Sequence, residues 1–241
     1  QSACHTTYPQ LAETFNALYA DLNAAPRQFS VQTSPFGAFD LTVDGDRMYG
    51  WVFGWHYAVS DLRMVPRRIT AMANGDFDEA LQAGVSDEAD IALIDIAMHY
   101  SVQCHEEAAF IQVADFDTVR AQVPERASYL LKGSDLGASL FDLCALWWDA
   151  ARTTAPRENM PVHSDVPALL LTGHFDPITP PAWAEQAAAT LDNHFLYVLP
   201  DVGHGVVRSS ACGMSLAVTF LNDPTTEPDT TCSSQLAPLR F

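Results

Sequence analysis

The segment from residue 163 onwards constrains the fold of this chain more than any other part of its sequence. Two continuously apolar runs, VPALLLTG at 166–173 and HFLYVLP at 194–200, are typical of strands in a parallel sheet that is covered on both faces. Between them, PAWAEQAAATL has a helical pattern with Pro181 near its first turn. A last helix is predicted over SSACGMSLAVTFLND. The order strand, helix, strand, helix predicts an α/β arrangement for residues 163–241.

The preceding residues 1–162 predict a mostly helical region. Apolar residues at helical spacing predict helices in five stretches: 9–25, 51–62, 65–75, 114–124 and 139–152. Residues 36–49 alternate well enough to predict a hairpin that turns at Asp44-Gly45. Residues 87–102 are apolar and are expected to be buried. The polar, proline-containing segment 151–165 is the predicted connection between the two regions.

The charge of the chain excludes some classes of partner. Thirty acidic residues against twelve basic ones give a formal net charge of −18. Such a chain repels the phosphates of nucleic acids and anionic membrane surfaces. No apolar run is long enough to predict a membrane span. The charge favours solubility, and a preference for cationic substrates is the alternative.

Two residues of the C-terminal segment form a candidate catalytic pair. Asp176 follows the first predicted strand and His204 follows the second, in a Gly-His-Gly context. Functional groups in α/β sheets lie on loops beyond the carboxyl ends of the strands, and neighbouring parallel strands bring such loops together. An aspartate that accepts a hydrogen bond from one imidazole nitrogen leaves the other nitrogen free as a base.

These motifs carry a family resemblance. PALLLTGHFDPITPP, LPDVGHG and FLNDP resemble the C-terminal part of the α/β-hydrolase superfamily, and more narrowly the tripeptidyl-aminopeptidase-like and proline-iminopeptidase-like serine hydrolases. The stretches VPRRITAMANGD, SVQCHEEAAF and CALWW fit the helical cap of that family more loosely. The resemblance implies Asp176 as the triad acid, His204 as the triad base and a Cys212–Cys232 disulfide. A second bridge, Cys104–Cys144, is plausible within the cap.

The nucleophile departs from the family pattern. A Gly-x-Ser-x-Gly elbow is expected on a strand-to-helix turn, and the sequences around Ser86, Ser134 and Ser139 do not provide one. In the family the nucleophile precedes the cap, so we expect it on a companion segment upstream of Gln1, together with the oxyanion hole. The odd cysteine, Cys4, is either a free thiol or lacks its partner; the resemblance implies a partner cysteine just upstream of it.

Two further groups have open assignments. Glu106 and Glu107 follow Cys104 and His105, but adjacent side chains rarely converge on one ion, so no metal site is predicted. By resemblance, either glutamate could hold the free amino terminus of a substrate; the alternative is a solvated pair. The aromatic residues are either core or the lining of an apolar pocket: Trp51, Phe53, Trp55, Tyr57, Trp147 and Trp148.

The resulting expectation is a serine hydrolase that forms an acyl-enzyme with peptide N-termini or esters and needs no cofactor. The alternative is an inactive remnant that acts as a binding or assembly module. The two plausible disulfides predict a periplasmic or secreted protein. An uncovered sheet edge and apolar face predict association with the companion segment, with another copy of the chain, or with both.

Overall fold

The computed structural model describes residues 2–33, 37–91, 95–126, 129, 140–147 and 159–236. Helices occupy the following ranges: α1 Ser2–Thr7, α2 Leu11–Ala24, α3 Gly45–Gly54, α4 Val59–Leu62, α5 Val65–Ala73, α6 Asp78–Ile91, α7 Ile96–Val102, α8 Val113–Gln122, α9 Leu140–Trp147, α10 Pro181–Ala188, α11 Val206–Ser209 and α12 Ala211–Asn222. A π-helical turn, Gln103–Glu107, follows α7, and 3₁₀ turns cover Pro124–Arg126 and Thr231–Gln235. The strands are β1 Arg27–Thr33, β2 Gly37–Val43, β3 Ala168–Gly173 and β4 His194–Leu199. Within these ranges no helix is long and apolar enough to cross a membrane.

The chain divides into two compact units. The first consists of Gln1–Asp21, Gly50–Gln82 and Pro161–Phe241, and the second of Leu22–Tyr49 and Ala83–Met160. Residues 50–82, which the sequence placed with the helical region, therefore belong to the same unit as the C-terminal segment. The assignment of residues 1–162 to a cap domain stays a prediction.

The predicted C-terminal strands and helices are confirmed. β3 and β4 pair in parallel, from Ala168 opposite His194 to Gly173 opposite Leu199. The side chains of one cluster are almost completely buried next to this pair: Leu199, Val202, Val206, Cys212 and Leu216. Leu171 and Tyr197 of the strands pack against this cluster. The cluster thus fixes the strand ends and the loops that follow them.

The predicted hairpin at 36–49 is wrong in position. The antiparallel pair is β1 with β2, with Phe29 opposite Leu41, and it lies upstream of Asp44-Gly45. Asp44 instead begins α3, because its carboxylate accepts a hydrogen bond from the Arg47 amide at 2.8 Å. Asp-Gly occurs in tight turns, but aspartate is equally favoured where a helix begins. The short-range signal could not distinguish these two uses.

Two other expectations for the N-terminal region need correction. Residues 51–62 do not form one helix, because α3 ends at Gly54 and α4 begins only at Val59. Residues 95–99 are exposed rather than buried; Met98, for example, is 63% exposed. Tyr100, in contrast, is buried. The rest of the protein therefore covers only part of this apolar stretch. The predicted connection at 151–165 lies outside the described residues as far as residue 158.

Both anticipated disulfides are present. Cys212 of α12 is bonded to Cys232, and Cys104 of the π-helical turn is bonded to Cys144 of α9. Each bridge lies within one of the two units. Among the described residues, Cys4 is a free thiol.

A buried arginine links α4, α5 and α6. Arg68 is only 7% exposed, and it forms ion pairs with Asp61 at 2.9 Å and with Glu79 at 3.3 Å. Its guanidinium also lies 4.6 Å from the ring centroid of Trp55, in a cation–π contact. A buried cation needs such partners, since burial of an unpaired charge is costly.

Replacement of Arg68 should destabilise the first unit. We expect Arg68→Ala to lower the free energy of unfolding by about 2 kcal/mol, because packing and two ion pairs are lost at a buried position. The matched control is Arg67→Ala, since Arg67 pairs with the same Glu79 but its side chain is 65% exposed; its effect should stay within about 0.5 kcal/mol. Urea unfolding followed by tryptophan fluorescence measures both. Equal losses in the two variants would contradict this role of Arg68.

Candidate active site

The loops after β3 and β4 are tied to each other by their backbones. The amide of His174 donates to the carbonyl of Leu199, and the amide of Phe175 donates to that of Val202, both at 3.0 Å. These bonds continue the parallel pairing beyond the last residues of the strands. They bring the Asp176 loop and the His204 loop side by side, as the sequence predicted.

Asp176 lies in a polar nest made by its own loop. Its Oδ1 accepts hydrogen bonds from the amides of Ile178 and Thr179, each at 2.9 Å, and its Oδ2 accepts one from the Thr179 hydroxyl at 2.9 Å. The carbonyl of Thr179 in turn accepts a bond from the hydroxyl of Thr172, a buried residue of β3. The loop therefore holds the carboxylate in one orientation. At 6% exposure, Asp176 is among the few buried acidic residues described.

The surroundings of Asp176 keep it ionised. Burial by itself would raise the pKa of this carboxyl group, but the hydrogen bonds from Thr179, Ile178 and His204 outweigh burial and lower the pKa below its ordinary value. A carboxylate that stays charged can only accept hydrogen bonds. Every group that contacts its oxygen atoms must therefore be a donor.

His204 supplies one of those donors. Its Nδ1 lies 3.0 Å from both Oδ1 and Oδ2 of Asp176. Because the carboxylate only accepts, the proton of the neutral imidazole belongs on Nδ1, and the lone pair is then on Nε2. The side chain of His204 is 35% exposed, against 3% for that of Asp176. This arrangement orients the imidazole and leaves it accessible.

Two glycines allow the loops to come this close. A Cβ atom at Gly173 would lie 2.2 Å from the carbonyl oxygen of Gly203, and one at Gly203 would lie 2.6 Å from the carbonyl oxygen of His56. Both contacts are with backbone, which cannot move aside cheaply. A side chain at Gly173 would push the histidine loop away from the Asp176 loop, and one at Gly203 would push it away from the backbone of His56.

Tyr57 is one member of the site that the sequence did not identify. Its carbonyl accepts a hydrogen bond from the His204 amide at 3.0 Å, and its ring meets the imidazole edge-on with centroids 5.2 Å apart. Burial, and then the charge of Asp176, raise the pKa of its phenol. The sequence offered Tyr57 only as one of several aromatic residues in a core or a pocket. Tyr57 and His204 are far apart in the sequence, so a local sequence pattern cannot predict their contact.

A groove of about 540 Å³ opens beside the histidine. Among the described residues, eight line it: Tyr57, Ala58, Val59, Ser60, His204, Gly205, Arg208 and Ser209. All of them belong to the first unit. A reacting group that enters this groove would meet the exposed part of the imidazole.

No described serine is hydrogen-bonded to His204. The hydroxyl of Ser60 points to Asp61 at 3.5 Å, and that of Ser209 donates to the carbonyl of Gly205 at 3.1 Å. Ser86 lies within α6, which is not a strand-to-helix turn. Ser134 and Ser139 lie outside the described residues.

The remaining candidates belong to the other unit or to the core. Glu106 and Glu107 are exposed on the π-helical turn that carries Cys104, and their role in binding an amino terminus stays a prediction. Trp51 and Trp55 are buried, whereas Phe53 and Trp147 are partly exposed. Trp148 lies outside the described residues.

The lowered pKa of Asp176 makes the stability of the site depend on pH. A carboxyl group whose pKa is lower in the folded state stabilises that state above the pKa of the unfolded chain, and this contribution is lost as the pH falls through the folded pKa. We expect the difference in unfolding free energy between wild type and Asp176→Asn to be largest near about pH 6 and to shrink towards about pH 3. Urea unfolding at a series of pH values measures it. The control is Asp192→Asn on the surface; a difference that stays constant with pH would contradict the ionised, buried Asp176.

Comparison with known proteins finds one family model that matches the part of the chain containing this site. Residues 128–232 match the family model described as TAP-like protein, which lies within the α/β-hydrolase superfamily and implies its fold. Neither the curated proteins nor the solved structures gave a match. The matched segment contains β3, β4, Asp176, His204 and the Cys212–Cys232 disulfide. The resemblance drawn from the sequence is therefore confirmed: residues 128–232 are similar to the TAP-like proteins of the α/β-hydrolase superfamily.

Proposed function

We propose that the chain supplies the acid and the base of a serine hydrolase triad, with Asp176 and His204 in these roles. The observation that carries the proposal is the bond from His204 Nδ1 to a buried, multiply hydrogen-bonded carboxylate. It leaves Nε2 as the available base beside the groove. The family match supports a hydrolase.

The chemistry follows from this arrangement. In such a reaction, Nε2 of His204 takes the proton of a serine hydroxyl while the serine oxygen attacks the substrate carbonyl carbon. The imidazolium then gives this proton to the leaving group. Asp176 stabilises the imidazolium, since its carboxylate remains charged and close to Nδ1. A water molecule activated by the same nitrogen completes hydrolysis of the acyl-enzyme.

The nucleophile is proposed to come from a companion segment. Two parallel strands make a marginal sheet on their own, and the exposed face of α12 carries Met214, Val218 and Leu221. Trp183 of α10 is also largely exposed. Exposed apolar surface of this kind favours association, and a further strand and helix that carry Gly-x-Ser-x-Gly would cover part of it. Self-association of the chain is the alternative way to cover it.

The substrate is proposed to be a peptide N-terminus or an ester. Peptidases and esterases share the same triad chemistry. The exposed pair Glu106 and Glu107 lies in the region that resembles a helical cap, and either carboxylate suits an ammonium group. The two disulfides are compatible with, and support, a periplasmic or secreted location.

A second candidate function is a binding or assembly module without catalysis. The observation that favours it is that no serine among the described residues is hydrogen-bonded to His204. Under this alternative, the pair of Asp176 and His204 would only stabilise the two loops.

A fluorophosphonate probe on the native preparation, read by intact-mass spectrometry, separates the two candidates. Label on a serine outside residues 1–241 is the result expected for a companion segment. Label on this chain would contradict the companion segment and would locate the nucleophile here. No label on any polypeptide, while a control hydrolase reacts, would favour the binding module.

Replacement of His204 then tests the base. In the native assembly, His204→Ala should lower kcat by about 10³-fold or more, because the proton acceptor is lost. The control is His174→Ala, an exposed histidine of the loop that also holds Asp176; its turnover should stay close to that of wild type. Unchanged turnover in His204→Ala would refute the assignment.

A further inference from the structure

We propose that Arg208 binds an anionic group of the substrate, and that the groove beside His204 therefore prefers acyl compounds with a free carboxylate nearby. This inference rests on the proposed hydrolase function and names the substrate class of that site. Its basis is the charge around the groove.

Arg208 differs in its partners from three other described arginines. Arg67 and Arg68 form ion pairs with Glu79, and Arg120 pairs with Asp117. In the described part of the chain, the guanidinium of Arg208 has neither an ion pair nor a hydrogen bond. Arg63 likewise has neither an ion pair nor a side-chain hydrogen bond within the described residues, but it does not line the groove, whereas Arg208 does.

None of the described residues that line the groove is acidic. Besides Arg208, its polar lining consists of His204, Tyr57, Ser60 and Ser209. Its side chains thus offer a guanidinium and hydroxyl groups, which are the donors that suit a carboxylate. An anion in the groove is therefore repelled less than the net charge of −18 would suggest.

The position of Arg208 relative to His204 is fixed by backbone bonds. The amides of Arg208 and Ser209 donate to the carbonyl of Gly205, at 2.8 and 3.0 Å. Gly205 directly follows His204 and has a positive φ of 69°, which suits glycine. The short helix α11 thus starts directly after the histidine and carries Arg208 about one turn further along. A carboxylate bound by Arg208 would place a small acyl group close to the imidazole.

The arginine fork gives this site its chemical preference. A guanidinium binds a carboxylate with two parallel hydrogen bonds, whereas a neutral carboxamide lacks the charge and offers one acceptor. Arg208 is exposed, so water and salt weaken the interaction. We therefore expect a moderate preference, of about 5- to 10-fold in Kd at low salt.

The test is a binding titration that does not depend on turnover. The ¹⁵N-labelled chain is titrated with N-acetyl-alanine and, separately, with its carboxamide, and the side-chain signals of Arg208 and His204 are followed by NMR. The carboxylate should shift both signals and bind about 5- to 10-fold more tightly than the carboxamide, with the difference reduced at high salt. Arg208→Gln should remove the preference, and Arg67→Gln, an exposed arginine outside the groove, should keep it.

The outcomes separate this inference from the proposed function. Equal binding of the two compounds, or a preference that survives Arg208→Gln, overturns the inference. A second assay compares hydrolysis of a monoester of glutaric acid, which has a free carboxylate, with that of the matched valerate ester, which has none. If hydrolysis by the native assembly depends on His204, but Arg208→Gln leaves the preference for the glutarate ester unchanged, the inference fails and the hydrolase function stands. If the carboxylate binds as expected but hydrolysis is independent of His204, the site stands and the triad assignment fails.

Discussion

The hydrogen bond between His204 Nδ1 and the carboxylate of Asp176 is the interaction on which the site depends. It has an effect only if the carboxylate remains charged and cannot turn away. The loop after β3 meets both conditions, because two of its amides and a threonine hydroxyl donate hydrogen bonds to the oxygen atoms of Asp176. Burial alone would have favoured the protonated acid; the surrounding donors reverse that tendency. The imidazole of His204, the proposed base, is thus oriented by a loop of only a few residues.

The rest of the unit brings two such loops together and holds them there. Parallel pairing of β3 and β4 sets their carboxyl ends next to each other, and the buried cluster around Leu199 and Leu216 supports the strands. Because Gly173 has no Cβ atom, the backbone of Gly203 can lie directly against it. On its other side, the histidine loop is held by the carbonyl of Tyr57. The position of the imidazole is therefore determined by backbone contacts from two separate parts of the chain.

The sequence revealed the pair Asp176 and His204 because the signals for it are local. Two apolar strand runs, each followed by a loop with a polar residue, are enough once a parallel sheet is inferred. Tyr57 could not be predicted in the same way, since its contact with His204 joins distant parts of the chain. The hairpin was misplaced because Asp44-Gly45 fits a turn as well as a helix start. The exposure of Met98 was missed because an apolar run does not show which of its faces is covered.

The proton on His204 gives the most direct test of this account. The ¹⁵N chemical shifts of a neutral imidazole distinguish the nitrogen that carries the proton from the one that holds the lone pair. We expect His204 to be the Nδ1–H tautomer, with a free Nε2, in wild type, and to lose this preference in Asp176→Ala. An Nε2–H tautomer in wild type, or a tautomer that does not respond to removal of the carboxylate, would show that Asp176 does not prepare His204 as a base.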